Sequence, residues 1–316
     1  MKIVYMGTPD FAVGALKSVI EAGHEVALVV TQPDKVRGRG HEVSFCPVKE
    51  CALSYGLPVF QPERIRNEEA VDKLKSIGAD IFIVAAFGQI LSEEILNIPK
   101  YGCINIHASL LPKYRGAAPI QWCILNGESK TGVTIMQMDK GVDTGDILLQ
   151  RECEIAADET GASLFDKLAD LGAATIAEAL DLIRDGKITP IKQDEAKATH
   201  VGMLNKEMGR IDWNDSGVII ERYVRGLNSW PGTYTYHNGK MLKIWGSKVC
   251  DDKALCQSSD KPGTVVKADE SGLYVKTGDG VLIITSLQAE GKKRMDTASF
   301  IRGYAIKQGD TLGDNK

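Results

Sequence analysis

Long apolar runs are missing from this 316-residue sequence, and none approaches the roughly 20 residues that cross a membrane. The apolar run at residues 1–7 is too short for a signal peptide and ends at Gly7. The sequence therefore predicts a cytoplasmic protein with no membrane partner.

Paired cysteines are also missing. The seven cysteines are odd in number and contain no C-x-x-C pair, which argues against a disulfide framework and against a structural zinc site. No His, Cys, Asp or Glu cluster has the spacing of metal ligands, so we expect no metal. The turn at residues 7–12 is not a G-x-G-x-x-G fingerprint, and no P-loop is present. A dinucleotide site is therefore not indicated.

Net positive charge is absent from the chain as a whole, which carries −4. Residues 1–206 hold 22 Lys and Arg against 28 Asp and Glu, whereas residues 207–316 hold 16 against 14. The densest basic cluster is Lys292-Lys293-Arg294. This distribution of charge indicates a nucleic-acid partner only for the C-terminal part of the chain.

The order of patterns divides the chain. Short apolar runs alternate with helical patterns up to a long amphipathic helix at residues 161–185, which Gly186 closes. This alternation predicts an α/β domain with a mostly parallel sheet over residues 1–188, with ligands at the carboxyl ends of its strands. Residues 189–206 lose periodicity and read as a linker. Short strands between turn residues then predict a β-barrel domain over residues 207–316.

Three polar residues supply the parts for acyl transfer to an amine. Asn105 and His107 lie two apart on a predicted strand, so their side chains point to the same face. Asp143 follows a later strand on a turn flanked by glycines. An amide can hold an oxyanion, an imidazole can move a proton, and a carboxylate can orient or deprotonate. The competing interpretations are a core histidine and an aspartate that only forms its turn.

Five segments carry a resemblance to a known family: residues 7–12, 31–40, 105–120, 137–146 and 287–295. They include Asn105-Ile-His-Ala-Ser-Leu-Leu-Pro-Lys-Tyr-Arg-Gly and Asp139-Lys-Gly-Val-Asp-Thr-Gly-Asp146. On these motifs, the chain resembles from end to end the methionyl-tRNA formyltransferases of bacteria and organelles. It departs from many members at Ala108, where proline is frequent, and at Phe87, where tyrosine is common.

The resemblance implies a Rossmann-like domain followed by an oligonucleotide-binding-fold-like barrel. It implies formyl transfer from 10-formyltetrahydrofolate, the co-substrate, to methionyl-initiator-tRNA, the partner, by a metal-free enzyme that we expect to be a monomer. Catalysis is expected from Asn105, His107 and Asp143. Folate contacts are expected from Phe87, Gly88, Ile90, Ser109, Leu110, Leu111, Pro112 and Asp139. Contacts to tRNA are expected from Lys35, Arg37, Arg39, Lys292, Lys293 and Arg294.

Other functions stay open at this point. A formyltransferase of the same superfamily could act on a small amine, either an amino-sugar nucleotide or glycinamide ribonucleotide. A formyltetrahydrofolate hydrolase would use water instead of the amine. A non-catalytic tRNA-binding module on the same fold would need no reactive side chains. Trp213, Trp230 and Trp245 are expected to be packing residues rather than platforms for base stacking.

Overall fold

The computed structural model describes residues 1–37 and 42–313. The chain divides into two compact units. The first comprises residues 1–119, 130–154 and 165–201, and the second comprises residues 120–129, 155–164 and the chain from Gly202 onward. Residues 189–201 of the predicted linker thus belong to the first unit. The functional boundaries at 188 and 207 stay a prediction.

Helices and strands alternate from the N-terminus to residue 201. In chain order they are β1 (Lys2–Gly7), α1 (Phe11–Glu21), β2 (Glu25–Val30), β3 (Lys35–Arg37), β4 (Glu42–Ser44), α2 (Pro47–Ser54), β5 (Val59–Phe60), α3 (Glu68–Ile77), β6 (Ile81–Ala85), α4 (Glu93–Leu96), β7 (Cys103–His107), β8 (Arg115–Gly116), α5 (Pro119–Leu125), β9 (Lys130–Gln137), β10 (Ile147–Glu154), α6 (Gly161–Arg184) and β11 (His200–Val201). A short 3₁₀ helix, Glu195–Lys197, precedes β11.

The main sheet of the first unit has the strand order β10-β9-β7-β6-β1-β2-β5. The five strands from β7 to β5 pair in parallel, and β9 and β10 add to the β7 edge in antiparallel orientation. Strands β1 and β6 are almost completely buried, as expected of parallel strands covered on both faces. The predicted α/β fold with a mostly parallel sheet is confirmed.

The register of the sheet brings the carboxyl ends of three strands together. Gly7 of β1 lies opposite Ala85 of β6, and Val84 of β6 lies opposite Asn105 of β7. A side chain at Gly7 would come within 2.7 Å of the Ala12 Cβ, so only glycine fits this close approach. The loops after β1, β6 and β7 therefore begin at one edge of the sheet.

The residues that flank α1 and α6 differ in the capping contacts that they make. Asp10 precedes α1, but its side chain makes no capping hydrogen bond. Gly186 follows α6 with a φ of 66°, and its N–H donates to the Ile183 carbonyl, as expected of a glycine that ends a helix. Within the described ranges, neither α6 nor any shorter helix has an apolar stretch that could cross a bilayer.

The second unit is built around an antiparallel sheet. Its elements from residue 202 are a 3₁₀ helix (Glu207–Gly209), α7 (Gly217–Gly226), β12 (Thr233–His237), β13 (Lys240–Val249), α8 (Lys253–Cys256), β14 (Val265–Asp269), β15 (Gly272–Lys276), β16 (Val281–Ala289), β17 (Met295–Asp296) and α9 (Thr297–Gly303). The strand order is β12-β13-β16-β15-β14, with β17 paired to β16. Asn238 and Gly239 both have positive φ between β12 and β13, which is the hairpin turn that the Asn-Gly dipeptide predicts.

The three tryptophans after residue 201 differ in their surroundings. Trp213 lies in the hydrophobic core, and its indole N–H donates to Thr235 Oγ1 over 3.0 Å. Trp245 is partly buried, with the Arg294 guanidinium carbon 5.5 Å from its ring centre. Trp230 is 54% exposed. Trp213 is therefore a core packing residue, as expected, and the packing role of the other two stays a prediction.

Candidate active site

His107 is the last residue of β7 and is only 6% exposed. Its Nε2 lies 2.9 Å from the carbonyl oxygen of Tyr114. A carbonyl can only accept, so this contact assigns the ring proton to Nε2. Nδ1 lies 3.6 Å from Oδ2 of Asp143. Nδ1 is therefore the ring nitrogen that can gain or lose a proton beside the carboxylate.

Asp143 lies on the turn between β9 and β10, in the left-handed region with a φ of 55°. Its Oδ2 accepts a hydrogen bond of 2.8 Å from the backbone N–H of Gly116. The Tyr114 carbonyl and the Gly116 N–H thus hold the imidazole and the carboxylate, respectively. One short segment after β7 orients both side chains through its backbone.

Asn105 lies two residues before His107 on β7, so the two side chains leave the strand on the same face. The residue is partly buried between β6 and β9, opposite Val84 and Met136. Among residues 1–37 and 42–313, no group forms a hydrogen bond with its carboxamide. Its N–H groups are therefore available to a ligand.

The arrangement has the components of an acyl-transfer site. A carboxamide that is not engaged by protein can donate to an oxygen that becomes negative in a tetrahedral intermediate. An imidazole beside a carboxylate can carry a proton at neutral pH. Both groups lie at the carboxyl end of a strand in the sheet, where α/β folds bind ligands. The structure brings His107 and Asp143 together, while their catalytic roles stay predictions.

Three residues predicted to contact folate lie inside the protein. Ser109 is completely buried, and its hydroxyl donates to the Lys113 carbonyl over 2.7 Å. Leu111 is buried in a small apolar cluster with β9 and β10 side chains. Phe87 is buried in the main core. Their side chains are covered by protein, and their contacts with folate stay a prediction.

The other predicted folate residues reach the surface. Ile90 is 70% exposed, and Gly88 has a φ of 80°, which a side chain adopts only with strain. Leu110 and Pro112 are partly buried. Asp139 is exposed, and its Oδ1 accepts hydrogen bonds from the Gly141 N–H at 2.9 Å and the Thr144 hydroxyl at 2.6 Å. These positions can meet a ligand directly.

A cleft of about 690 Å³ adjoins Asp139 in the first unit. Its walls come from α4, the segment before β7, and the end of β9 with the turn that follows. Apolar and charged side chains alternate along it, among them Leu96, Ile98, Lys100, Met138 and Asp139. Its volume lies within the usual range for a small-molecule site.

The residues predicted to contact tRNA divide into two groups. Lys35 and Arg37 belong to strand β3, and Arg39 lies outside the described residues. Lys292, Lys293 and Arg294 are all exposed in the turn between β16 and β17. Arg294 Nε donates to the Ser286 hydroxyl over 3.0 Å, and its guanidinium lies beside Trp245. This basic turn presents three cations to solvent.

The sequence patterns assign no role to two polar residues beside the site. Arg115 is 1% exposed and lies between Tyr114 and Gly116. Gln193 lies in the predicted linker, and its Nε2 donates to the carbonyl of Asp143 over 2.8 Å. The hydrogen-bond partners of Gln193 at this site lie 50 and 78 residues away in the chain. The sequence around Gln193 therefore carries no local signal of its place beside the site.

Comparison with protein families gives an assignment for the whole chain. A family model described as formyl transferase matches residues 1–180, and one described as formyl transferase, C-terminal domain, matches residues 203–305. The chain belongs to the formyl transferase family. The resemblance recognised from the sequence motifs is thereby confirmed.

Curated relatives match over essentially the full length. The methionyl-tRNA formyltransferase of Agathobacter rectalis is 54% identical over 98% of this chain and 98% of its own. The protein of the same name from Caldanaerobacter subterraneus is 50% identical over 99% of this chain and all of its own. That of Clostridioides difficile is 47% identical over the same shares.

Solved structures share the fold at lower identity. WlaRD, a sugar 3N-formyl transferase, superposes with a TM-score of 0.65 at 21% identity, over 93% of this chain and 99% of its own. An N-formyltransferase from Helicobacter canadensis gives 0.66 at 19%, over 92% and 99%. HypX from Aquifex aeolicus, crystallised with tetrahydrofolic acid, gives 0.64 at 18%, over 100% of this chain and 51% of its own.

Proposed function

We propose that this protein is an enzyme that transfers the formyl group of 10-formyltetrahydrofolate to the amino group of methionine on initiator tRNA. The product is formylmethionyl-tRNA for translation initiation. The observation that carries the proposal is about 50% identity, over nearly the whole chain, to relatives named methionyl-tRNA formyltransferase. The geometry of Asn105, His107 and Asp143 supports it with a site suited to acyl transfer.

The chemistry follows from the positions of these groups. The neutral methionine amine attacks the formyl carbon, and the carbonyl oxygen becomes an oxyanion to which Asn105 donates. The amine loses a proton to the His107–Asp143 pair, directly or through water. The bond between the formyl carbon and the folate N10 then breaks, and N10 gains a proton. Overall, the formyl group moves from the folate N10 to the methionine amine, and one proton moves from the amine to N10.

The co-substrate fits the first unit in two respects. Ile90 supplies exposed apolar surface near the carboxyl end of β6. Asn105 offers N–H donors that no group among residues 1–37 and 42–313 engages. We therefore assign folate binding to the loops after β6 and β7, at the carboxyl ends of these strands.

The tRNA is the proposed partner of the basic turn at residues 292–294. Phosphate binding needs cations exposed to solvent, and this turn supplies three in a row on an otherwise acidic protein. Lys35, Arg37 and Arg39 are proposed as a second basic contact. A small amine substrate would need neither group of cations.

We also propose that the protein works in the cytoplasm as a monomer. All seven cysteines lie within the described residues and none forms a disulfide, which suits a compartment where thiols stay reduced. Light scattering coupled to gel filtration tests the assembly state: the mass of one chain supports the proposal, and twice that mass contradicts it.

The decisive experiment is incubation with 10-formyltetrahydrofolate and methionyl-initiator-tRNA, followed by mass spectrometry of the released methionine. We expect a formyl mass on methionine that depends on both substrates. Parallel reactions replace the tRNA with an amino-sugar nucleotide or with glycinamide ribonucleotide, and a third measures free formate. Formylation of a small amine at a comparable rate, or formate release without transfer, would replace this proposal with one of the other two enzymes.

A further inference from the structure

We propose that Gln193 is a positioning residue that holds the Asp143 turn in its reacting geometry, and that the buried Arg115 locks Gln193 in place. The inference rests on the proposed function, since it concerns the same site. It assigns a role in catalysis to a stretch of chain that the sequence pattern presents as a linker.

The contacts of Gln193 fix its orientation completely. Its Nε2 donates to the backbone carbonyls of Asp143 at 2.8 Å and Gly145 at 2.7 Å. Its Oε1 accepts from Arg115 Nε at 3.0 Å and Nη2 at 2.8 Å. Carbonyl oxygens only accept and a guanidinium only donates, so one orientation of the carboxamide satisfies all four contacts.

The Asp143 turn needs such a support from outside. Asp143 has a φ of 55°, in the left-handed region that is unfavourable for a non-glycine residue. Such a conformation persists only where the surroundings determine it. Gln193 holds the backbone on both sides of Thr144, while the Gly116 N–H holds the carboxylate itself. Together they set the position of Oδ2 relative to the imidazole of His107.

Arg115 connects this support to the other reacting side chain. Its guanidinium is 1% exposed and also donates to both carboxylate oxygens of Glu195, at 2.9 and 2.7 Å. Its chain neighbours are Tyr114, whose carbonyl accepts from His107, and Gly116, whose N–H donates to Asp143. A buried guanidinium is held firmly when its donors are satisfied. The two loops and Gln193 therefore form one connected network.

Further contacts fasten the stretch that carries Gln193 to the same loop. Thr199 Oγ1 accepts from the Tyr114 N–H at 2.8 Å, and β11 pairs in parallel with β8. Ile191 forms an antiparallel bridge with Ile147, at the start of β10. Gln193 is thus anchored on both sides along the chain, which a residue needs if it is to hold a turn still.

The test is a double-mutant cycle in single-turnover formyl transfer. Gln193→Ala should lower the rate at saturation about 10- to 100-fold, because a shift of about 1 Å in a reacting group has an effect of this size. KM values for folate and tRNA should change less than about 3-fold, since no substrate contact is removed. In an Asp143→Asn background, the same substitution should cost less than about 3-fold, because its effect passes through Asp143.

Two further measurements separate positioning from general destabilisation. The Gly116 amide signal in ¹H–¹⁵N spectra should move in Gln193→Ala, because its bond to Asp143 loosens, while the thermal midpoint stays within a few degrees. If Gln193→Ala folds poorly, Gln193→Met takes its place in the test, because methionine is similar in size to glutamine. It should show the same loss of rate. Lys197→Ala, an exposed change on the same stretch, is the matched control and should leave rate and spectrum unchanged.

The outcomes are distinct. A rate within about 3-fold of the parent in both Gln193 variants overturns the inference, and so does a full loss that persists in the Asp143→Asn background. In either case the parent protein still formylates the tRNA, so the proposed function stands. A parent protein without formyl transfer overturns the proposed function itself.

Discussion

The buried centre at the end of β7 and the basic turn between β16 and β17 represent two ways of using polar residues. In the centre, His107 and Asp143 are held by backbone groups at 2.9 and 2.8 Å, respectively. In the turn, Lys292, Lys293 and Arg294 extend into solvent. Chemistry on one carbonyl depends on position within fractions of an ångström, whereas binding a polyanion depends on the number of charges. Substitutions in the two regions should therefore differ in size and in salt dependence.

The largest effect should come from the centre. Asp143→Asn and His107→Ala should each slow single-turnover formyl transfer by at least about 100-fold, because proton transfer loses a positioned group. Asn105→Ala should cost about 100-fold through loss of oxyanion stabilisation. Folate affinity, measured by calorimetry, should stay near that of the parent. Rates within about 3-fold of the parent would remove these residues from the mechanism, and the contrast between the two regions would disappear with them.

A smaller effect should come from the basic turn, and salt should reveal it. The double variant Lys292→Ala/Lys293→Ala should lower kcat/KM for tRNA several-fold at low salt. The slope of log kcat/KM against log salt should fall by about 1 to 2, because each phosphate contact contributes about 0.7 to 0.9. The rate at saturating tRNA should not change.

A matched control tests whether the position of the cations matters. Lys248→Ala/Lys253→Ala removes two exposed charges from the same unit, outside the basic turn. We expect the parent slope in this variant. Equal slopes in the two double variants would mean that the net charge of the unit, rather than the turn, attracts the tRNA.

The effect that is smallest at neutral pH concerns the stability of the core, and it grows only at high pH. Burial raises the pKa of the Cys103 thiol to about 12 and raises that of the Tyr5 phenol well above its usual range. Both groups ionise more readily once unfolded, at about pH 8.5 and 10. The free energy of unfolding should therefore hold below about pH 8.5 and fall as pH rises toward 12, by up to about 1.4 kcal/mol per pH unit for Cys103.

Urea unfolding at pH 8, 9, 10 and 11 measures this slope. Cys103→Ala and Tyr5→Phe should each flatten it. Tyr55→Phe, at a position 44% exposed, removes a phenol from the surface and should leave the slope as it is. If the free energy of unfolding falls equally with pH in all three variants, other groups cause the fall.

Short-range sequence patterns were sufficient to predict most of the fold. Apolar periodicity and Gly186 place α6 within one residue of its bounds, and the apolar pattern predicts the strand that carries Asn105 and His107, because such signals act over a few neighbours. The same logic placed Asn105 and His107 on one face of β7. It does not reveal that Phe87, Ser109 and Leu111 are buried, because their burial depends on side chains packed from distant strands.

The sequence by itself determined the family, the α/β and antiparallel units, and the residue types available for formyl transfer, since each is written in motifs or in short-range periodicity. Only the tertiary structure decided that Tyr114 and Gly116 orient the reacting side chains, and that Gln193 and Arg115 connect them. Those contacts join residues up to 80 positions apart in the chain. Backbone donors and acceptors are the same at every position, so folding alone selects which of them meet.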